Sequence, residues 1–339
     1  MFVARFILIA TLCASAWPAY AEPYRAPWWL PGGHLQTIYA TAFAARPEVT
    51  YRRERWELAD GDFIDTDWIE GDAHAPLVVM FHGLEGSSRS QYAVGLMAAL
   101  QARGWRGVVI HFRGTSGEPN RLARAYHAGD VVEIDTLLRR AKLQSPDAPI
   151  YAVGVSLGAN AMLKWLGTQG SAAQAVVEKA VAVSAPLDLA ATGHALSGGF
   201  NLIYAQHFLR SLKQKALYKL EQFPALYDRE AVEAVYTIFT FDDIVTAPLH
   251  GFDGAEDYWA KASSKPGLLN ITIPTLLINA RNDPFLPDKY LPRADQVSAQ
   301  VTLEFPETGG HGGFVSGPFP GNINWLPTRI LEFLGDAPK

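Results

Sequence analysis

Ile150-Tyr151-Ala152-Val153-Gly154-Val155-Ser156-Leu157-Gly158-Ala159-Asn160 is the stretch on which the fold turns. Ile150–Val155 is a continuous apolar run of strand length, and Ala159–Leu166 continues with apolar residues at helical spacing. Between them, Gly154-Val155-Ser156-Leu157-Gly158 has the pattern G-x-S-x-G. A serine at its centre sits on a sharp, strained strand-to-helix turn. Small flanks let strand and helix pass closely, and the turn lifts the hydroxyl clear of the sheet. Ser156 is therefore the candidate nucleophile. The N–H of Leu157, at a helix start, is a candidate oxyanion donor. The competing reading is a structural turn in a Rossmann-like protein.

Outward from this turn, short β-rich runs alternate with helical stretches, which predicts a mostly parallel sheet. Arg53–Leu58 and Phe63–Ile69 alternate apolar and polar and are joined by Ala59-Asp60-Gly61-Asp62, so they read as an antiparallel edge. Leu77–Phe81, Gly107–Phe112, Ile150–Val155 and Ala180–Ser184 are runs of the buried kind, followed by Thr275–Asn279 and Val301–Phe305. Helical spacing appears over Gln91–Ala102, Asp130–Ala141, Ala159–Leu166 and Leu326–Leu334. Residues from about Pro186 to Lys265 break the rhythm with helical segments such as Asn201–Leu212 and Arg229–Phe239. This stretch reads as a helical cap inserted in a single domain over 28–335, with ordinary crossover helices as the alternative.

A hydroxyl is a weak nucleophile and needs a base, which in turn needs an orienting acid. On elbows of this type the chain order is Ser, acid, His. Of the nine histidines, His311 alone follows the last strand, in Gly309-Gly310-His311-Gly312-Gly313. Asp283 directly follows Thr275–Asn279, in Asn279-Ala280-Arg281-Asn282-Asp283-Pro284. Asp288 competes, but lies farther from the strand end. The second oxyanion donor should come from a loop after an early strand. Phe81-His82-Gly83-Leu84-Glu85-Gly86 supplies it, with the N–H of Leu84 as candidate.

Other clusters carry less. His82 reads as loop-shaping, because no metal-ligand spacing accompanies it. Arg113-Gly114-Thr115-Ser116-Gly117 lacks the G-x-x-x-x-G-K-[ST] of a phosphate loop. Asp130 reads as lying near a helix cap, and Asp242-Asp243 as anchoring the cap insertion. Trp28-Trp29-Leu30 reads as buried, with lipid contact as the alternative. No motif calls for a cofactor or a metal. The chain is 49% hydrophobic and 19% charged, which supports a sizeable core and argues against disorder. With a net charge of −5 and no basic run, nucleic acid is not an expected partner.

Cys13 stands alone, so no internal disulfide forms. Arg5, the apolar run Phe6–Trp17 and Ala19-Tyr20-Ala21 make residues 1–21 a signal peptide or a hydrophobic leader. The run is short for a membrane span. Use of the signal implies a periplasmic or secreted protein.

Pro31-Gly32-Gly33-His34-Leu35-Gln36-Thr37 resembles the N-terminal signature of the YheT-like α/β-hydrolases, also called the AB hydrolase 4 family. His82-Gly83-Leu84-Glu85-Gly86-Ser87, Phe112-Arg113-Gly114 with Glu118-Pro119-Asn120, and Gly154–Asn160 extend the match. So do Phe241-Asp242-Asp243 with Thr246-Ala247-Pro248, and Gly251-Phe252. The resemblance runs from about residue 28 to the C-terminus. It implies an α/β-hydrolase fold, with a mostly parallel sheet of the eight-stranded type flanked by helices. It also implies hydrolysis of carboxylic esters, with a small-molecule or lipid ester as partner and Ser156, Asp283 and His311 as the triad. Bacterial relatives usually begin near the Pro31 motif, which makes the cytoplasm the alternative location.

The combined reading is a serine hydrolase working through an acyl-enzyme. The same fold hosts other Ser-triad chemistry, including C–C hydrolases, thioesterases and perhydrolases. A non-catalytic binding protein on this scaffold is the rival from another class.

Overall fold

The computed structural model describes residues 22–335, so the leader expected over 1–21 lies outside the described residues. Eight strands form one sheet: β1 (Arg52–Glu57), β2 (Phe63–Ile69), β3 (Leu77–Phe81), β4 (Arg106–Ile110), β5 (Ile150–Val155), β6 (Lys179–Val183), β7 (Thr275–Ile278) and β8 (Val301–Glu304). Their order is β1-β2-β4-β3-β5-β6-β7-β8. The first two strands pair antiparallel to each other, β2 pairs antiparallel to β4, and all later pairings are parallel.

Eleven α-helices surround the sheet among the described residues. They are α1 (Gly33–Ala42), α2 (Gln91–Ala102), α3 (Val131–Gln144), α4 (Leu157–Gln169), α5 (Leu189–Leu196), α6 (Leu202–Gln222), α7 (Arg229–Ala234), α8 (Ile238–Phe241), α9 (Ala247–Leu249), α10 (Ala255–Ala262) and α11 (Trp325–Gly335). The apolar runs are continuous because the parallel strands are covered on both faces. In β3, Leu77, Val79 and Phe81 enter the core shared with α3 and α4, while Val78 and Met80 enter the core under α2 and α11. Helix α3 starts where Asp130 accepts the N–H of Glu133, and it buries Ile134, Leu137, Leu138 and Ala141.

The hairpin expected at the sheet edge is present, but only β1 is exposed. Every residue of β2 is buried, including Asp65 and Asp67, whose carboxylates take bidentate donors from Arg55 and Arg53 of β1. Burial of Trp28-Trp29-Leu30 holds for Leu30 and fails for Trp28, which is 91% exposed. The chain turns here: Leu30 N–H donates to Pro27, so Leu30 points inward and Trp28 outward.

Six helices, α5 to α10, fall between β6 and β7. Asp242 accepts from Thr246 and from the indole of Trp259, and Asp243 accepts from the N–H of Ala255, so these two carboxylates tie α8 and α9 to α10. Among the described residues no helix is long and apolar enough to cross a membrane.

Candidate active site

All five candidate residues lie beyond the C-terminal ends of parallel strands, where open α/β sheets place their crevice. Ser156 follows β5 with φ 53° and ψ −124°, a left-handed backbone unusual for a residue with a side chain. Packing explains the glycines around it. A Cβ on Gly154 would stand 2.5 Å from the Cα of Ala159, and one on Gly158 would stand 2.5 Å from the carbonyl oxygens of Phe81 and His82. Without those atoms α4 starts directly against the end of β3.

His311 Nε2 lies 2.9 Å from Ser156 Oγ, and His311 Nδ1 lies 2.9 Å from Asp283 Oδ2. With Nδ1–H donating to the carboxylate, Nε2 is left to accept the serine proton. Asp283 is buried, and its other oxygen accepts the N–H of Phe285 at 2.8 Å. The ring of Phe285 stacks on the imidazole, 4.1 Å between centroids. The competitor Asp288 instead pairs with Arg281 at the surface.

The histidine loop has supports that its sequence does not advertise. His311 N–H donates to Thr37 Oγ1 of α1 at 2.8 Å, Gly310 N–H to Asn282 Oδ1, and Gly312 N–H to Ser184 Oγ. Sequence reasoning missed α1 as an element. The Gly-Gly pair before His34 hid the helix start, and Gln36, Thr37 and Ala40 are too polar or too small to mark a buried face.

Leu84 and Leu157 lie beside Ser156 on one cavity of about 480 Å³. Leu157 N–H is in the first turn of α4, where no intrahelical acceptor exists. Leu84 N–H has no hydrogen-bond partner among the described residues. Its direction is set from the other side of the same peptide group. The Gly83 carbonyl accepts from His82 Nδ1 at 2.7 Å and from Gly86 N–H at 2.9 Å. In a trans peptide the N–H points opposite to the C=O, so holding Gly83 O aims Leu84 N–H. His82 is fully buried, and burial pushes its pKa down to about 3, so the ring is neutral. Nε2 accepts the N–H of Phe112 at 3.3 Å, which leaves the proton on Nδ1.

Glu85, the next residue, has φ 55°. Its N–H donates to Tyr126 Oη, whose own proton goes back to the Glu85 carboxylate. Lys215 of α6 pairs with the same carboxylate at 2.7 Å. The rest of the cavity is mostly apolar, with Leu196, Phe208, Leu212, Phe241, Trp259 and Phe285 among its lining. Among the described residues no group of three or more His, Cys, Asp or Glu side chains is placed to hold a metal ion.

Residues 76–318 match the family model described as alpha/beta hydrolase fold. The chain is 41% identical over 306 residues to the Escherichia coli (strain K12) protein named "Putative esterase YheT", covering 89% of each chain. It is 27% identical to human "Phospholipase ABHD3", covering 94% of this chain and 80% of that one. Among solved structures, the Pyrococcus furiosus esterase Pf2001 superposes with a TM-score of 0.54 at 16% identity, covering 86% of this chain and 97% of the other, a likeness of fold.

Proposed function

We propose, since the chain belongs to the alpha/beta hydrolase fold family and to the YheT-like group within it, that it hydrolyses carboxylic esters through an acyl-enzyme on Ser156. The observation that carries this reading is the hydrogen-bonded line Asp283–His311–Ser156, ending beside two unpaired backbone N–H groups on one cavity. Relatives named esterase and phospholipase support the ester class.

In the first step Ser156 Oγ attacks the acyl carbonyl while its proton passes to His311 Nε2. The carbonyl oxygen becomes an oxyanion, held by Leu84 N–H and Leu157 N–H. Asp283 keeps the imidazole in the tautomer with Nδ1 protonated and stabilises the imidazolium. The alcohol leaves with the proton from Nε2. Water then attacks the acyl-enzyme, gives a proton to His311, and the acid departs as Ser156 regains its own. Helices α5 to α10 serve as the cap in this reading, because their apolar side chains roof the space that the acyl chain enters.

Ser156→Ala is expected to lower kcat on a p-nitrophenyl ester by at least about 10⁴-fold. A fluorophosphonate probe should label the wild type and not the variant. Turnover unchanged in the purified variant would remove Ser156 from the chemistry. Absence of labelling in the wild type at neutral pH would favour a binding protein on this scaffold.

A further inference from the structure

Asp283, Pro284 and Phe285 bring two groups to one imidazole. Asp283 Oδ2 meets the ring edge at Nδ1, 2.9 Å away, and Asp283 Oδ1 accepts the Phe285 N–H at 2.8 Å. The same carboxylate thus orients the base and fixes the backbone of the aromatic residue. The Phe285 ring then covers the imidazole, with 4.1 Å between centroids and 28° between planes. Helix α6 holds it there. Tyr204 and Phe208 meet Phe285 edge to face at 4.9 Å and 6.2 Å, and Asn201 Nδ2, just before α6, donates to Pro284 O at 2.7 Å. Tyr204 is anchored in turn, its Oη lying 3.1 Å from His34 Nδ1 of α1.

We propose that Phe285 is a positioning residue whose π face stabilises the imidazolium formed when His311 takes the Ser156 proton. The proposal rests on the acyl-enzyme reading of Ser156. Before proton transfer the ring covers a neutral imidazole, and the contact is ordinary packing. Afterwards a positive charge stands 4.1 Å from the negative face of a phenyl ring, inside the distance of about 6 Å at which such a face attracts a cation. Little water reaches the pair, since the His311 side chain is 12% exposed and Phe285 is 5% exposed. The Asp283 carboxylate meets the ion at its edge and the phenyl meets it at its face, so the two do not compete. Attack on the ester and attack on the acyl-enzyme both pass through the imidazolium. The ring therefore favours both transition states over the states that precede them. An aliphatic side chain of similar size would keep the packing and lack the negative face.

The test puts mono-, di- and trifluorophenylalanine in place of Phe285 in the full chain, because each fluorine weakens the negative face with little change of shape. On p-nitrophenyl acetate, kcat should fall stepwise with the number of fluorines at near-constant KM. Phe285→Leu, checked for folding by circular dichroism, should lower kcat about five- to thirty-fold. A ring that only packs would give a flat fluorine series, so the series decides even where Phe285→Leu fails to fold. A flat series, or a rise in KM at unchanged kcat, in an enzyme whose wild type turns over and takes a fluorophosphonate label overturns this proposal alone. A wild type with neither turnover nor label overturns the acyl-enzyme reading and this proposal with it.

Discussion

Replacing His82 with Phe keeps the buried ring volume and removes both ring nitrogens. Three hydrogen-bond contacts go with them. The Gly83 carbonyl loses one of its two donors, the Phe112 N–H loses its acceptor, and Thr115 Oγ1 loses its 3.0 Å contact with Nε2. An orphaned buried backbone group costs about 1–3 kcal/mol, so denaturant unfolding should report a loss of that order. The catalytic effect follows from the peptide plane. Gly86 N–H still holds Gly83 O. Leu84 N–H is thus loosened in direction rather than withdrawn. Removing an oxyanion donor outright costs about 10²–10³ in kcat. A loosened one should cost about 10–100-fold, or roughly 1.4–2.7 kcal/mol in the barrier. KM should change little, because the donor acts on charge that develops in the transition state. His82→Gln, which can donate and accept at similar reach, should recover part of the loss. The assay is kcat and KM on a p-nitrophenyl ester, with folding checked by circular dichroism. A folded His82→Phe enzyme with wild-type kcat would refute the role given to His82 and to the Leu84 N–H.

Thr37→Val should leave the His311 N–H without its acceptor and lower kcat about ten-fold at near-constant KM, at a cost of about 1–3 kcal/mol in stability by urea titration. Lys215→Met removes the cation that joins α6 to Glu85. Because the Lys215 side chain is 40% exposed, screening limits the effect, and kcat should fall only about two- to five-fold. The wild type should lose rate with added NaCl while the variant does not, and equal salt slopes would count against the link. Asp242→Asn tests the buried carboxyl, which burial pushes up from 3.8 to about 6. The folded state then binds more protons than the unfolded one between those values, so wild-type stability should fall as pH rises through about 4 to 6 and level off above. The variant should lack that slope, and its thermal advantage over the wild type should be greatest near pH 8 and absent below pH 4.

The strand–turn–helix around Ser156 was legible because one local pattern has to satisfy several demands at once. Continuous burial gave the strand, apolar spacing gave the helix, and two glycines marked the tight crossing between them. His311 and Asp283 could be placed because each lies in the loop after a late strand, and strand ends converge at the crevice. Helices α1, α5 and α10 were not legible. Helix α5 buries Leu189, Ala191, Thr192, Gly193 and Leu196, where small and polar residues blur the period. Gly193 is required there for contact rather than conformation, since a Cβ would meet the Trp259 ring at 2.3 Å. The stretch Arg229–Phe239 reads as one helix but divides at Val235–Thr237. Thr237 there caps a new turn by accepting the N–H of Thr240. Glu85, Tyr126 and Lys215 escaped for a different reason. Their link joins three segments distant in the chain, and no spacing in one sequence can show it.

Backbone strain is gathered at the candidate site. Four residues other than glycine have positive φ among the described residues: Glu85, Ser156, Ser184 and Phe314. Glu85 follows Leu84, the proposed oxyanion donor, and Phe314 lies three residues beyond His311. Ser184 ends β6 beside the elbow and holds Gly312 with its hydroxyl. Each such residue costs about 1–3 kcal/mol, so together they weigh against a net stability of about 5–15 kcal/mol. They persist because fixed neighbours over-determine them. Ser156 N–H bonds Val183 O at 2.9 Å, and Ser184 N–H bonds Ile278 O at 2.7 Å, each carrying the ladder one residue past its strand. Phe314 is fully buried, and its N–H bonds Gly309 O. Glu85 is held by Tyr126 and Lys215. Two of the four are therefore locked by the sheet, one by the core, and one by the buried Tyr126 hydroxyl together with Lys215 of α6. Of the two restraints on Glu85, the ion pair is the weaker, because the Lys215 side chain is open to solvent. Loss of Lys215 alone therefore leaves Tyr126 holding the segment that follows Leu84.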